Sequence, residues 1–452
     1  MLRVCFSPHS DVGLRLTLLY RIAWGLVRLA SPLFAFGGSK LARGMTGRRG
    51  ARDLLVLWGE HVRDPCRPVV WFHAPSAGEG LQAKAVIEEL RAKRPDVQVV
   101  YTFFSPSAGE FAGGMDVDVA TYLPWDLRGP LSEVLEAVTP DAVLFTKTEV
   151  WPTLVAEAYR RGIPTGIVAA TVPVGAGRMR PLARRILGPA WNALSIACAN
   201  SEADAAALRS LGVRSVVLEV TGDPGIDSAA TRFDARDRGA SWLAPFRVDP
   251  RPTLVAGSTW GPDEDVLLPA LLTVRDAVGD LRVVIAPHEP RGEVVRALLQ
   301  RLGADGWNAT TLLEFEQGES VQRLDVDRGP NAIVVERVGV LAELYEAASV
   351  SFVGGGFHTR GLHSVLEPAA AGSPIVFGPQ HQNARAAADL IADAGAEVAG
   401  DPQALAGVLT RWLSDRSAGQ DAGAAAARYI DRHRGAAARS AALLDSLLQI
   451  TQ

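Results

Sequence analysis

Short apolar runs alternate with helix-length segments along this chain, and they do so in two separate series. Between residues 68 and 227 the runs PVVWFHA, VQVVYTFF, DAVLF, TGIVAAT, LSIACAN and VVLEVTG alternate with helical stretches such as 79–94 and 151–161. A polar stretch, 228–251, follows, broken by Gly239, Pro245 and Pro250, and reads as a linker. The series then restarts with PTLVAGS, LRVVIAP, a run near 308–315, NAIVVE, VSFV and PIVFG, with helical segments over 264–278 and 293–302. Strands separated by helices of this length form parallel, doubly wound sheets. A chain of 452 residues is also too long for one ordinary core. The expectation is α/β: two Rossmann-like domains over 53–227 and 252–430, facing a central crevice. The Ala-rich region 403–448 reads as helical in two pieces, and the terminal helix, 431–452, is expected to cross back to the first domain.

Ligands of such sheets bind outside the carboxyl ends of the strands, so residues just after strands carry the interest. In the second half, Val350 to Val353 leads into Gly354, Gly355 and Gly356, then a helical segment expected to open at His363 to Glu367. Glycines admit close backbone approach and a helix start offers unpaired N–H groups, which together outline an anion site. Glu367, one turn in, is placed to accept from ribose hydroxyls. The same pattern also fits an ordinary strand-to-helix turn. In the first half, HAPSAGEG puts Ser76, Gly78 and Glu79 at a helix start, where a lone Glu79 is more often a helix cap or dipole partner and a general base is the functional reading. TKTEVWP sets Lys147 and Glu149 at another strand end, and FFSPSAGE adds Ser105. Ser258, Thr259, Pro287, His288 and Arg291 occupy equivalent places in the second half. His73, His288, His358, His363 and His381 lack H-x-x-x-H spacing, so no metal site is expected, and His363 reads as a hydrogen-bond donor. No G-x-x-x-x-G-K-[ST] occurs, and the glycine loop lacks the G-x-G-x-x-G order of dinucleotide enzymes.

Charge is distributed unevenly. Residues 1–52 hold nine basic side chains against Asp11 alone, a balance of +8; with −4 for the whole chain, the remainder carries −12. Residues 14–36 are apolar but interrupted by Arg15, Arg21 and Arg28, which argues against a spanning helix. An in-plane helix with snorkelling arginines, followed by the basic cluster 40–52, suits an anionic membrane surface; a buried helix or a signal peptide are the other readings. The segment 1–52 is therefore expected to be a separable membrane-associating arm. Basic residues confined to an apolar arm, with no aromatic stacking platform, argue against nucleic acid. Cys5, Cys66 and Cys198 fit neither a disulfide framework nor a metal site.

Taken together, HAPSAGEG, FFSPSAGE, YLPWD, TKTEVWP, VTGDPGID, AGSTWGPDE, IAPHEP, VGVLAELY and GGGFHTRGLHSVLEP through FGPQHQN are similar to the motifs of bacterial 3-deoxy-D-manno-octulosonic acid (Kdo) transferases, in the same order. These are inverting glycosyltransferases of the GT-B fold, and the resemblance runs from about residue 14 to the end. It implies CMP-Kdo as donor and a lipid A precursor as acceptor, in lipopolysaccharide synthesis, with no cofactor or metal. It implies further that Glu79 is the base on the acceptor hydroxyl, supported by Glu149, with Ser76, Gly78, Ser105 and Lys147 on the acceptor side. The donor would be held by Ser258, Thr259, Pro287, His288, Arg291, Gly339, Val340, Leu341, Gly354 to Gly356, His363, Ser364 and Glu367. The implied location is the cytoplasmic face of the bacterial inner membrane, peripheral or monotopic.

Several positions depart from the commonest family pattern. The P-R-H motif is Pro287, His288, Glu289, so Arg291 is the available substitute for a phosphate-binding arginine; Ser364 stands for Asn, Gly225 for a basic residue and Lys147 for a Glu. Two alternatives follow: a GT-B transferase using another nucleotide sugar, and a catalytically silent membrane-associated lipid-binding relative.

Overall fold

The computed structural model describes residues 20, 22, 24–29, 40–173, 175–249, 251–317 and 329–451. The chain divides into two compact units, one of residues 1–228 with 435–452 and the other of residues 229–434.

The first unit is built on a parallel sheet of seven strands, β1 (Val69–His73), β2 (Gln98–Phe103), β3 (Val119–Tyr122), β4 (Ala142–Thr146), β5 (Thr165–Ala170), β6 (Ile196–Ala199) and β7 (Leu218–Val220), in the order β3-β2-β1-β4-β5-β6-β7. The second is a parallel sheet of β8 (Thr253–Thr259), β9 (Arg282–Pro287), β10 (Ala309–Thr311), β11 (Ala332–Val334), β12 (Val350–Val353), β13 (Ile375–Phe377) and β14 (Ala396–Val398), ordered β10-β11-β9-β8-β12-β13-β14. Helices cover both faces, which is why central strands such as VVWFH are buried at every position instead of alternating. On one face of the first sheet, Leu55, Trp58, Trp71 and Trp191 share a core. On the other, Val70, Phe72 and Leu144 pack with Ala437, Ala441, Leu444 and Leu448 of the last helix, Ala436–Thr451. Asp227 anchors that helix by accepting the amides of Gly435 and Ala437 at 2.5 and 2.9 Å.

Some expected elements differ. The run near 308–315 is not one strand: β10 gives way at Thr311 to a helix, Leu312–Glu316, because Thr311 and Glu314 form a capping box. Residues 228–251 are not an irregular linker. They continue the helix Pro224–Asp234, then form a 3-10 turn, Ser241–Leu243, and a helix, Ala244–Val248, that tolerates Pro245 in its first turn. The Ala-rich end forms three helices, Pro402–Ser414, Arg416–His433 and Ala436–Thr451, in place of two. The helix expected to open at 363 opens at Leu366 and ends at Ala370.

The apolar stretch 14–36 lies largely outside the described residues; within it, 24–29 are helical. Residues 40–52 are not a free arm. They form the helix Lys40–Gly47, a turn over 48–50 and the start of the helix Ala51–His61 in the first unit, and Ala42, Arg48 and Ala51 are buried there. Among the described residues no helix is long and apolar enough to cross a membrane.

Candidate active site

The strand order reverses at β1 in the first sheet and at β8 in the second. Loops on either side of such a reversal splay apart and leave a hollow at the carboxyl edge.

Around β1 the structure gathers the loops that follow β1, β2 and β4. Glu79 lies in the first turn of the helix Ala77–Lys93, and the hydroxyl of Ser76, its N-cap residue, donates to its carboxylate. That contact fixes the Glu79 rotamer. Gly78 is exposed. Gly80, by contrast, lets the helix sit against the next layer, since a methyl there would lie 2.6 Å from Phe111 and 2.7 Å from the Tyr101 hydroxyl. The Ser105 loop is tied alongside: the amides of Phe104 and Ser105 donate to the Pro75 carbonyl at 3.1 and 2.8 Å.

Lys147 ends β4 in the left-handed region, φ 69°, pinned by backbone bonds to Val168 and Thr171. Its charge acts on Asp223, whose carboxyl burial raises and whose contacts with Gly225 N–H, Lys147 and Gln82 oppose that rise. Gly225, where a basic residue was expected, donates its amide to Asp223 at 2.8 Å. Two residues after Lys147, Glu149 is half-buried. Burial, then the nearby charge of Glu79, hold its carboxyl above the usual carboxylate range, against the opposing charges of Arg178 and Arg48. Two carboxylates therefore share one edge and feel each other. Asp126 sets this loop from a distance: it accepts the amides of Thr153 and Leu154 at 3.0 and 2.9 Å, capping the helix Pro152–Arg160, and the Tyr20 hydroxyl at 2.5 Å.

Around β8 lie the loops after β8, β9 and β12. Ser258 is left-handed at φ 57°, and the Thr259 hydroxyl donates to buried Glu264 at 3.0 Å. His288, just beyond Pro287, stacks on His363 at 4.1 Å between ring centroids, and Trp260 joins the stack at 4.7 Å from His288 and 4.9 Å from His358. The Trp260 indole N–H donates to His363 Nε2 at 2.9 Å, so His363 accepts there instead of donating. Burial and the neighbouring imidazoles push His363 down to about 4. The imidazoles face one another as plates and do not converge on a point, as metal ligands would.

The triple glycine serves the protein itself. Gly354 N–H donates to Gly257, and the amides of Gly355 and Phe357 go to the buried carboxylate of Asp263 at 2.8 and 3.0 Å. A methyl on Gly356 would meet the Gly378 backbone, 2.7 Å from its Cα. Close backbone packing thus requires these glycines irrespective of a ligand, and the amides of Gly355 and Phe357 are not open to an anion. Ser364 is exposed and its hydroxyl accepts the Leu366 amide at 3.3 Å. Glu367 pairs with Arg232. Arg291 is exposed and already paired with Glu289 and Glu293, at 2.8 and 3.3 Å, which weakens it as a replacement phosphate ligand. Gly339, Val340 and Leu341 lie apart from the Trp260 cluster in sequence order, after β11, where Gly339 at φ 88° turns the chain into the short helix Leu341–Glu346.

Sequence reading overlooked Arg48, counted only as surface charge, Arg178, and Asp263. Asp263 sits three residues past the Trp260 N-cap and accepts its backbone amide at 2.9 Å, and an acidic residue at that spacing was the one signal available beforehand.

The family model described as 3-Deoxy-D-manno-octulosonic-acid transferase (kdotransferase) matches residues 49–228. The chain is 27% identical over 412 residues to the 3-deoxy-D-manno-octulosonic acid transferase of Bordetella pertussis, covering 89% of this chain and 90% of that one. It is 24% identical over 412 residues to that of Haemophilus influenzae, covering 89% and 92%. In fold it is similar to a putative UDP-N-acetylglucosamine 2-epimerase from Listeria monocytogenes, at TM-score 0.58 and 15% identity, covering 84% and 96%, and to a glycosyltransferase from Rickettsia africae, at 0.55 and 10%, covering 85% and 99%. Two α/β units with parallel sheets of this kind are the GT-B architecture.

Proposed function

We propose that this chain, similar to 3-deoxy-D-manno-octulosonic acid transferases over 89% of its length, acts as one and moves Kdo from CMP-Kdo to the sugar hydroxyl of a lipid A precursor, in lipopolysaccharide synthesis. The observation that carries the mechanism is the pairing of Glu79 and Glu149 at the β1 reversal, with Ser76 holding Glu79 in place.

Glu79 takes the proton of the acceptor hydroxyl as that oxygen bonds to the anomeric carbon. The bond from that carbon to the CMP phosphate oxygen breaks on the opposite face, and the electron pair leaves with CMP. A single displacement inverts the anomeric configuration. Glu149, whose carboxyl burial and the charge of Glu79 hold above the usual carboxylate range, supports that site and hydrogen-bonds the acceptor sugar. Side-chain and backbone hydrogen-bond donors around the nucleotide offset the charge on departing CMP. Loops after β8, β9 and β12 are the proposed donor seat, with the Trp260–His288–His363 stack as its floor.

The acceptor is a lipid, and Ile22, Leu26 and Leu29 with Arg28 are proposed to rest on the anionic cytoplasmic face of the bacterial inner membrane. The test is incubation of the full chain with CMP-Kdo and a lipid A precursor, followed by mass spectrometry of the lipid. A mass increase of one or more Kdo residues is the expected result. Calorimetric titration with CMP and UDP separates the donor alternatives: tighter UDP binding with no Kdo product would overturn the proposal.

A further inference from the structure

One side chain of the first unit stands out by its unmet hydrogen-bonding capacity. Arg48, between helices Lys40–Gly47 and Ala51–His61, is only 5% exposed, yet Nε and Nη2 have no acceptor among the described residues. These two nitrogens form one edge of the guanidinium, the edge that matches the two oxygens of a carboxylate. The plane is held by stacking: its central carbon lies 3.4 Å from the centroid of Phe104 and 5.4 Å from that of Trp125. Phe104 in turn stacks on Trp151 at 5.7 Å, and Trp151 lies two residues beyond Glu149. The Trp151 indole N–H and His73 Nε2, whose rings are 6.0 Å apart, are buried and unpartnered as well. A charged group kept dry and unpaired is costly to fold, and such groups persist where something else completes them.

We propose that the open edge of Arg48 receives the carboxylate of the sugar acid during transfer, making Arg48 a specificity-determining residue. The inference rests on the Kdo-transfer reading. In a 2-ulosonic acid the carboxylate is bonded to the anomeric carbon itself, so it arrives wherever Glu79 delivers the acceptor oxygen. That edge already carries Glu79 and Glu149, and a third negative charge needs a cation beside it. Arg48 and Arg178 are the cations whose charges act on Glu149. Arg178 is half-buried on a 3-10 turn with no ion-pair partner among the described residues, while Arg48 alone is stacked rigidly with a free edge. A lysine could supply the charge but not the fork.

The experiment compares kcat/KM of the full-length wild type and Arg48→Lys with two donors, CMP-Kdo and its C1 carboxamide. Two charge-assisted hydrogen bonds predict a wild-type preference for the carboxylate donor of about 10- to 100-fold. Arg48→Lys should lose about that factor with CMP-Kdo and little with the carboxamide, so that discrimination collapses, while CMP affinity is unchanged. Equal use of both donors by the wild type would overturn the inference without needing the variant to fold. Discrimination retained in a folded Arg48→Lys would also overturn it, leaving water as the occupant of that edge. No transfer from CMP-Kdo by the wild type would instead remove the parent reading, and this inference with it.

Discussion

Asp263 accepts the amide of Gly355 at 2.8 Å through the same oxygen that holds the Trp260 amide at 2.9 Å, so one buried carboxylate fixes both the start of a helix and the glycine loop. Replacing it by Asn puts an NH2 against backbone N–H donors. Asp263→Asn should destabilise the second unit by at least about 2 kcal/mol and weaken CMP binding tenfold or more. Denaturant melts and calorimetry with CMP read both effects. Unchanged CMP affinity in a destabilised variant would separate the glycine loop from the donor seat.

Gly78 and Gly80 occupy the same helix turn with opposite demands. A methyl at 78 has nothing nearer than Ser76 Oγ at 4.0 Å, whereas at 80 it collides with Phe111 and Tyr101. Gly80→Ala should cost about 1–3 kcal/mol and Gly78→Ala none. If Gly78→Ala nonetheless slows transfer while melting like the wild type, residue 78 touches the acceptor.

His73 is fully buried at the end of β1, and burial with the Arg48 charge pushes it down to about 3. Above the unfolded value near 6.5 neither state binds the proton; below it only the unfolded chain does. Stability is therefore lost as pH falls from about 6.5 towards 3, by about 2 kcal/mol between pH 6.5 and 5. His73→Gln should flatten that part of the pH profile in urea unfolding. An identical slope in the variant would place the proton uptake elsewhere.

Ile22, Leu26 and Leu29 are 47%, 60% and 78% exposed, whereas Trp24 packs on Trp151 with 5.3 Å between ring centroids. The outward residues are thus the ones free to enter a lipid surface. Converting the three to Ser should release the chain from anionic vesicles in co-sedimentation and leave thermal stability unchanged. Truncation through Arg52 would be a poor test, because it removes Arg48 and Ala51 from the core of the first unit.

The strand-end loops were legible beforehand because a doubly wound sheet brings its reversal-point loops together whatever their sequence: Glu79, Ser105 and Glu149 follow adjacent strands, and Ser258, His288 and Gly354 sit at the carboxyl ends of three others. What could not be read was any pairing across long separations. Asp263 and Gly355 are 92 residues apart, and the Arg232–Glu367 pair depends on a helix that looked like linker. Glycines that serve backbone packing look the same in a sequence as glycines that admit a ligand. Arg48 was hidden among other basic residues, since only its stack on Phe104 distinguishes it from solvated charge. β3 escaped notice because its four residues are only half-buried and lack a continuous apolar run.

The proton-accepting role of Glu79 is tested most directly by single-turnover Kdo transfer from CMP-Kdo to a lipid A precursor with Glu79→Gln, beside a CMP titration of the same protein. Loss of the base should slow transfer by about 100- to 10,000-fold and leave CMP affinity within about twofold of the wild type. A transfer rate close to the wild type would contradict it.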